Sequence, residues 1–294
     1  MKSLRKILCL FALVLFVSSV KAQILYKVEA PGTGKTSYLL GTHHFAPLDV
    51  IDSIPEIPQI LKSIDKLYGE IDMVEMADPM ALMGLQKLMM APADSTLDKV
   101  LTPERLDSVA AVWKEYAPQM LPFDAIKMMK PAMISTQLAA FMASKILPEI
   151  NGMEGIDMTM QKRAKDLGKE VGGLETMEYQ MNMLMSDPIS KQAESLMKMI
   201  RDIDNTDTKT LELTNAYLSH NIDKILDLML ESEASDPESA EKLIYIRNDN
   251  WVSRLKEEMP SKSIMVVVGA GHLPGKRGVI ESLRNNGFIV TPIR

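Results

Sequence analysis

Cysteine is almost missing from this 294-residue chain. Cys9, the one present, lies in an apolar stretch near the start, so the rest of the chain can form no disulfide and offers no thiolate nucleophile. Stability must come from an ordinary apolar core. A basic cluster is also missing: Lys and Arg number 33 against 39 Asp and Glu, a net charge of −6, which argues against nucleic acid or an anionic lipid surface as partner. No Gly-x-Ser-x-Gly elbow occurs, which removes the commonest serine-hydrolase signature. No internal repeat is visible. Beyond the first 22 residues no apolar run is long enough to cross a bilayer.

Those first residues have their own order. A basic start (Lys2, Arg5, Lys6) precedes an apolar stretch, Ile7–Val17, and small residues that end in Val20-Lys21-Ala22. This is the pattern of a signal peptide cleaved after Ala22. The expectation is therefore a periplasmic or extracellular protein with no stable membrane anchor after cleavage, and more acidic once four basic residues have left.

Two β-type runs follow, 24–28 and 37–40, separated by Pro31-Gly32-Thr33-Gly34-Lys35, which predicts a hairpin. The segment Gly32–Thr36 looks like the end of a phosphate-binding loop. However, Glu29 stands where the first glycine is needed, and a strand rather than a helix follows, so it reads as a turn. A third strand is expected over 66–73, after an amphipathic stretch at 56–65.

From about 79 to 258 the periodicity is helical, with start signals at Thr102-Pro103-Glu104, Pro131, Asp187-Pro188 and Asp236-Pro237. One interruption, 170–174, could return the chain to the sheet. Twenty of the 24 methionines fall between Met73 and Met199. Their helical spacing marks them as core filling, the alternatives being a copper(I) site or an adaptable groove. At the C-terminus an apolar run (263–268), a helix (278–286) and a last strand (287–293) follow. The fold class expected is α/β: a mixed central sheet from the N- and C-terminal segments, with a large, mainly helical middle region packed around it. The expected organisation is a signal peptide over 1–22 and one domain over 23–294, in which 79–258 is a helical insertion or cap.

Histidine occurs four times, at 43, 44, 220 and 272. Two of the four stand three residues after a glycine, in Gly41-Thr42-His43-His44 and Gly269-Ala270-Gly271-His272, and each motif follows directly on an apolar β run. If the two strands are parallel neighbours, both histidines emerge at strand carboxyl ends, where open α/β sheets place ligand sites. The third run adds Glu70 and Asp72, which strict alternation would put on one face. A carboxylate beside two imidazoles suits a metal site or a general base on water; a polar strand end facing solvent is the other reading. Arg247, in Tyr245-Ile246-Arg247-Asn248-Asp249-Asn250-Trp251, suits an oxyanion or a carboxylate, or an ion pair on a helix surface.

Together these segments resemble the TraB/GumN family, which includes the Tiki proteases and has distant ChaN-like and erythromycin-esterase-like relatives. The resemblance is carried by Leu40-Gly41-Thr42-His43-His44, Glu70-Ile71-Asp72, Gly155-Ile156-Asp157, Gly173-Leu174-Glu175-Thr176 with Gln180, Arg247-Asn248 with Trp251, and Val268-Gly269-Ala270-Gly271-His272-Leu273-Pro274-Gly275. It implies a metal-dependent hydrolase. His44, His272 and Glu70 would be metal ligands and catalytic groups, with Arg247 in support and His43 competing with His44 for the inward position. The implied ion is manganese or cobalt, with zinc also compatible, and the implied substrate is a peptide or protein. A second reading is a non-catalytic carrier of haem or a metal-bearing ligand, of the ChaN-like type.

Overall fold

A run as apolar as Ile264-Met265-Val266-Val267-Val268 has no polar face, so it must be covered on both sides. In the computed structural model, which describes residues 23–73, 79–119, 121–148 and 155–293, this run is an inner strand with no exposed surface over those five residues. Six strands make the sheet: β1 (Leu25–Glu29), β2 (Thr36–Thr42), β3 (Lys66–Gly69), β4 (Glu170–Gly173), β5 (Ile264–Gly269) and β6 (Ile289–Pro292). Their spatial order is β4-β3-β5-β2-β1-β6. The protein is an α/β molecule with a mixed sheet drawn largely from its two ends.

The first four strands in that order are parallel, and β1 and β6 add antiparallel partners. β1 and β2 form the expected hairpin, closed by the Ala30 amide donating to the Lys35 carbonyl at 3.1 Å. The segment resembling a phosphate loop is that hairpin turn. β2 and β5 are parallel neighbours with Gly41 opposite Val268 and Thr42 opposite Gly269, so the two histidine motifs leave the sheet side by side. The interruption at 170–173 is strand β4, with Gly173 opposite Gly69 of β3.

One boundary differs from expectation. β3 ends at Gly69 instead of running to Met73. The buried Gln161 side chain draws the following segment out of the ladder, donating to the Ile71 carbonyl at 2.9 Å and accepting from the Met73 amide at 3.0 Å. Glu70 and Asp72 therefore do not share a strand face. Glu70 turns toward β5, and Asp72 lies near Lys165, at 3.8 Å.

Helices Ile57–Ser63, Ile156–Asp166, Ile246–Glu258 and Val279–Asn285 cover the sheet with Ile60, Met160, Trp251, Leu255 and Leu283, among others. A second apolar cluster lies in the helical middle. There Trp113, Leu138, Met142 and Met197 join helices Pro103–Tyr116, Pro131–Ile146 and Ile189–Arg201. Thr102 caps the first of these by accepting from the Arg105 amide, with Pro103 at the next position, as the start signal requires. Residues 1–22, and with them the segment read as a signal peptide, lie outside the described residues. No helix among the described residues is long and apolar enough to cross a membrane.

Candidate functional site

Four parallel strands that end at one edge bring four stretches of chain together there. Past β2 stand His43 and His44, past β3 Glu70, past β4 Glu175, and past β5 the turn that ends in His272. The Leu174 amide donates to the Gly69 carbonyl and the Glu175 amide to the Glu70 carbonyl, both at 2.9 Å, so the two acids leave the sheet in step.

Glycine makes the close approaches possible. A Cβ on Gly269 would meet Glu70 Oε1 at 3.3 Å. With no side chain there, the carboxylate reaches the Gly269 amide, which donates a hydrogen bond to it at 2.9 Å. A Cβ on Gly41 would fall 2.9 Å from Leu273 and 3.0 Å from the Ala270 backbone, so the first motif packs on the second only because this position is bare.

Arg247 is the hub. The π-helical turn Glu241–Tyr245 leads into its helix, and its Nη1 donates to the Leu243 carbonyl at 3.0 Å. Its Nη2 donates to both Glu70 Oε2 and Glu175 Oε1, while Nε donates to Glu175. Gln180 donates to both acids, at 3.0 and 3.1 Å. Trp251, one helical turn beyond Arg247, donates to Glu175 Oε2 at 3.2 Å, and its ring lies 4.7 Å from the guanidinium carbon and 4.5 Å from the His272 ring. Burial alone would raise the Glu70 pKa; the charge of His272 when protonated, that of Arg247 and the Gly269 amide pull it down to about 2. At neutral pH His272 is uncharged, and Arg247 with the amide keeps Glu70 ionised.

The tautomer of His272 follows from its neighbours. Arginine only donates, so Nε2, 3.1 Å from Arg247 Nη1, is the accepting nitrogen and Nδ1 carries the proton. Nδ1 donates to Asn248 Oδ1 at 2.7 Å, while Asn248 Nδ2 donates to the carbonyls of His272 and Arg277. Burial lowers the His272 pKa to about 4. The Nε2 lone pair thus points at Arg247, with Glu70 Oε1 3.8 Å away.

His43 and His44 point in different directions. His43 is partly buried beside Phe45 and Tyr217, and its Nε2 donates to Thr214 Oγ1 at 2.9 Å, since that hydroxyl gives its own hydrogen to the Thr210 carbonyl. His44 keeps 73 % of its side chain exposed and lies with Nδ1 3.6 Å from Asp157 Oδ2. It lines a cavity of about 230 Å³ with Glu70, Asp157, Gln161, Gln180 and Met158. A larger cavity of about 590 Å³, lined by Tyr26, Asp223 and Arg284, contains none of the four candidate side chains.

Glu70, His272 and Arg247 are therefore in mutual contact, and His44 lines the same small cavity as Glu70. His44, Glu70 and His272 do not converge on one point as they stand: among the described residues no three His, Cys, Asp or Glu side chains are gathered closely enough to hold an ion. The donors fall into two pairs, His272 with Glu70 and His44 with Asp157. By donor chemistry the set fits a divalent ion, since two imidazoles and two carboxylates give the mixed N/O ligation that manganese, cobalt and zinc accept. Buried Asp157 Oδ2 has no hydrogen-bond partner, an acceptor that a cation would satisfy.

Glu175, Gln180, Asn248 and Asp157 were not among the candidates read from the residues themselves. Their only signal was membership of the short motifs that carry the family resemblance.

The family model described as TraB/PrgY/gumN matches residues 24–292. The chain is 23 % identical to metalloprotease TIKI1 of Danio rerio over 86 % of its own length, and 23 % identical to metalloprotease TIKI2 of the same species over 90 %. Metalloprotease TIKI1 of Homo sapiens is 24 % identical over 86 % of the chain. The alignments span about 60 % of the length of these relatives. No solved structure matches. With the family model covering nearly the whole described chain, from β1 to β6, the protein belongs to the TraB/PrgY/gumN family.

Proposed function

We propose that this protein is a metal-dependent hydrolase acting on peptide bonds outside the cytoplasm. The observation that carries the reading is the meeting of both Gly-x-x-His turns with Glu70 and Arg247 at one end of four parallel strands. The relatives' names, metalloprotease, point the same way. His44, His272 and Glu70 would hold the ion, which when bound supplies Lewis acidity toward a carbonyl and toward water at neutral pH.

The chain's own groups have separable tasks. Asn248 fixes the proton of His272 on Nδ1, so that Nε2 carries the lone pair, which an ion would take over from Arg247 Nη1. Arg247, held by Glu175 and Trp251, presents a fixed positive charge where negative charge would develop on a carbonyl oxygen. Gln180 holds the two acids in register. Gln161 keeps the Ile71–Met73 segment off the sheet so that Glu70 faces β5.

The carrier reading has less behind it. A cavity of about 230 Å³ is smaller than the ~300–1,000 Å³ usual for sites that enclose a drug-sized ligand, and haem is larger still.

The test is to strip the purified protein of metal and offer it a peptide library before and after reloading with manganese, cobalt or zinc. Cleavage should appear only after reloading, and the absence of turnover with every metal would end the reading. Location outside the cytoplasm rests on the order of residues in 1–22, and a mature chain beginning at Gln23 by mass is the expected check.

A further inference from the structure

Asp157 presents one carboxylate oxygen that nothing satisfies. It stands at the start of helix Ile156–Asp166, and its Oδ1 accepts from Thr42 Oγ1 at 3.0 Å. Thr42 is the last residue of β2 and lies two residues before His44. Fixed in this way, the carboxyl group carries Oδ2 beside His44, where it is buried and has no hydrogen-bond partner. A buried acceptor without a donor costs free energy, and native proteins rarely keep one without a use. The 3.6 Å between Oδ2 and His44 Nδ1 is too long for a hydrogen bond. It does suit two ligands of one ion bound at ~2.0–2.2 Å each.

The Glu70–His272 half of the site is differently placed. Glu70 already accepts from the Gly269 amide, Arg247 and Gln180, and His272 Nε2 accepts from Arg247. An arriving cation meets the Arg247 guanidinium there, shared between Glu70 and Glu175, and donors already in place. On the His44–Asp157 side it meets an exposed imidazole and a carboxylate oxygen with nothing bound to it.

We infer that Asp157 is a further metal ligand, and that His44 and Asp157, with Thr42 aiming the carboxylate, form the half of the site that captures a divalent cation. This rests on the metallohydrolase reading and adds to it a residue and an order of events: capture at His44–Asp157, ahead of the half whose acceptors Arg247 already occupies.

Manganese(II) alone is the probe. Its free aquo ion gives a six-line electron paramagnetic resonance spectrum that is lost on binding, so titration of the metal-free protein reads affinity without reference to catalysis. The wild-type protein should bind manganese. Asp157→Asn, which keeps the shape and the Thr42 contact while removing the charge, should weaken binding at least tenfold, about as much as His44→Ala. Thr42→Val should weaken it less. The thermal midpoint of the metal-free Asp157→Asn protein should equal or exceed that of wild type, because the substitution removes the charge from a carboxyl group whose Oδ2 no donor reaches. A structural acid would instead lose stability on the same change. Wild-type affinity in Asp157→Asn alongside a loss in His44→Ala would overturn the role of Asp157 and leave the metallohydrolase reading standing. No binding of manganese, cobalt or zinc by wild type would overturn both.

Discussion

Arg247→Ala should lower the free energy of unfolding by about 3–5 kcal/mol, the range for stripping one partner from a buried ion pair. Arg247, Glu70 and Glu175 keep only 9, 14 and 5 % of their side-chain surface, and one guanidinium serves both acids. Without it two carboxylates face each other in a poorly solvated space, each short of its strongest donor. Trp251 would lose its cation and His272 the donor to Nε2. Arg247→Lys keeps the charge but not the fork that reaches both acids, so an intermediate loss is expected. Replacing the triad with neutral groups of similar size, as in Glu70→Gln with Glu175→Gln and Arg247→Met, should recover much of the lost stability and no activity. Urea denaturation of the three proteins checks this. A loss below about 1 kcal/mol for Arg247→Ala would mean that the triad behaves as a solvated surface pair.

The second large effect concerns pH. His272 is buried and His43 partly so, and the loss of solvent lowers each pKa from 6.5 to about 4. The unfolded chain therefore takes up protons between pH 6.5 and 4 where the folded chain does not. Stability from these two groups is complete above pH 6.5 and declines as pH falls toward 4. Each contributes up to about 3 kcal/mol at the conversion of 1.36 kcal/mol per pKa unit, an upper bound for a static interior. Glu70 has the opposite kind of shift, downward for an acid. Its contribution is complete above about pH 4.5 and fades as pH falls toward 2. The protein should thus lose stability in two stages, first through its histidines and then through its carboxylates. His43→Gln, which keeps a donor for Thr214, should roughly halve the first stage, leaving the share of His272, without touching the second. Unfolding free energies across pH 4–8 that are identical for wild type and His43→Gln would show that His43 titrates normally.

The sequence made some of this legible for definite reasons. Short apolar runs followed by glycine, as at 37–40 and 263–268, read as β-strands. A glycine at the end of each of two such runs, three residues before a histidine, placed both imidazoles at strand ends, and β2 beside β5 is the outcome expected from that pattern. The start signals at Thr102-Pro103 and Pro131 worked because capping and proline chemistry are local.

What was hidden depended on neighbours remote in sequence. Glu175 matters only because the four-residue strand β4 pairs with β3, some hundred positions away, and brings its acid alongside Glu70. Alternation misplaced Asp72 because Gln161, on a helix about 90 positions later, captures the backbone of that segment. The choice between His43 and His44 was open in sequence, since adjacent residues with the same side chain differ only in what they meet: Thr214 and Tyr217 on one side, the cavity on the other. Asn248, which sets the tautomer of His272, looks in sequence like any polar residue on a helix.

The most direct measurement is the rate of peptide cleavage by the manganese-reloaded protein beside that of its His44→Ala variant. His44 is exposed and packs against little, so the variant should keep the fold of wild type. The rate should nevertheless fall at least ~100-fold, as expected when an ion that activates water loses a protein ligand. Equal rates in the two proteins would contradict the claim that these strand ends form a metal-dependent active site.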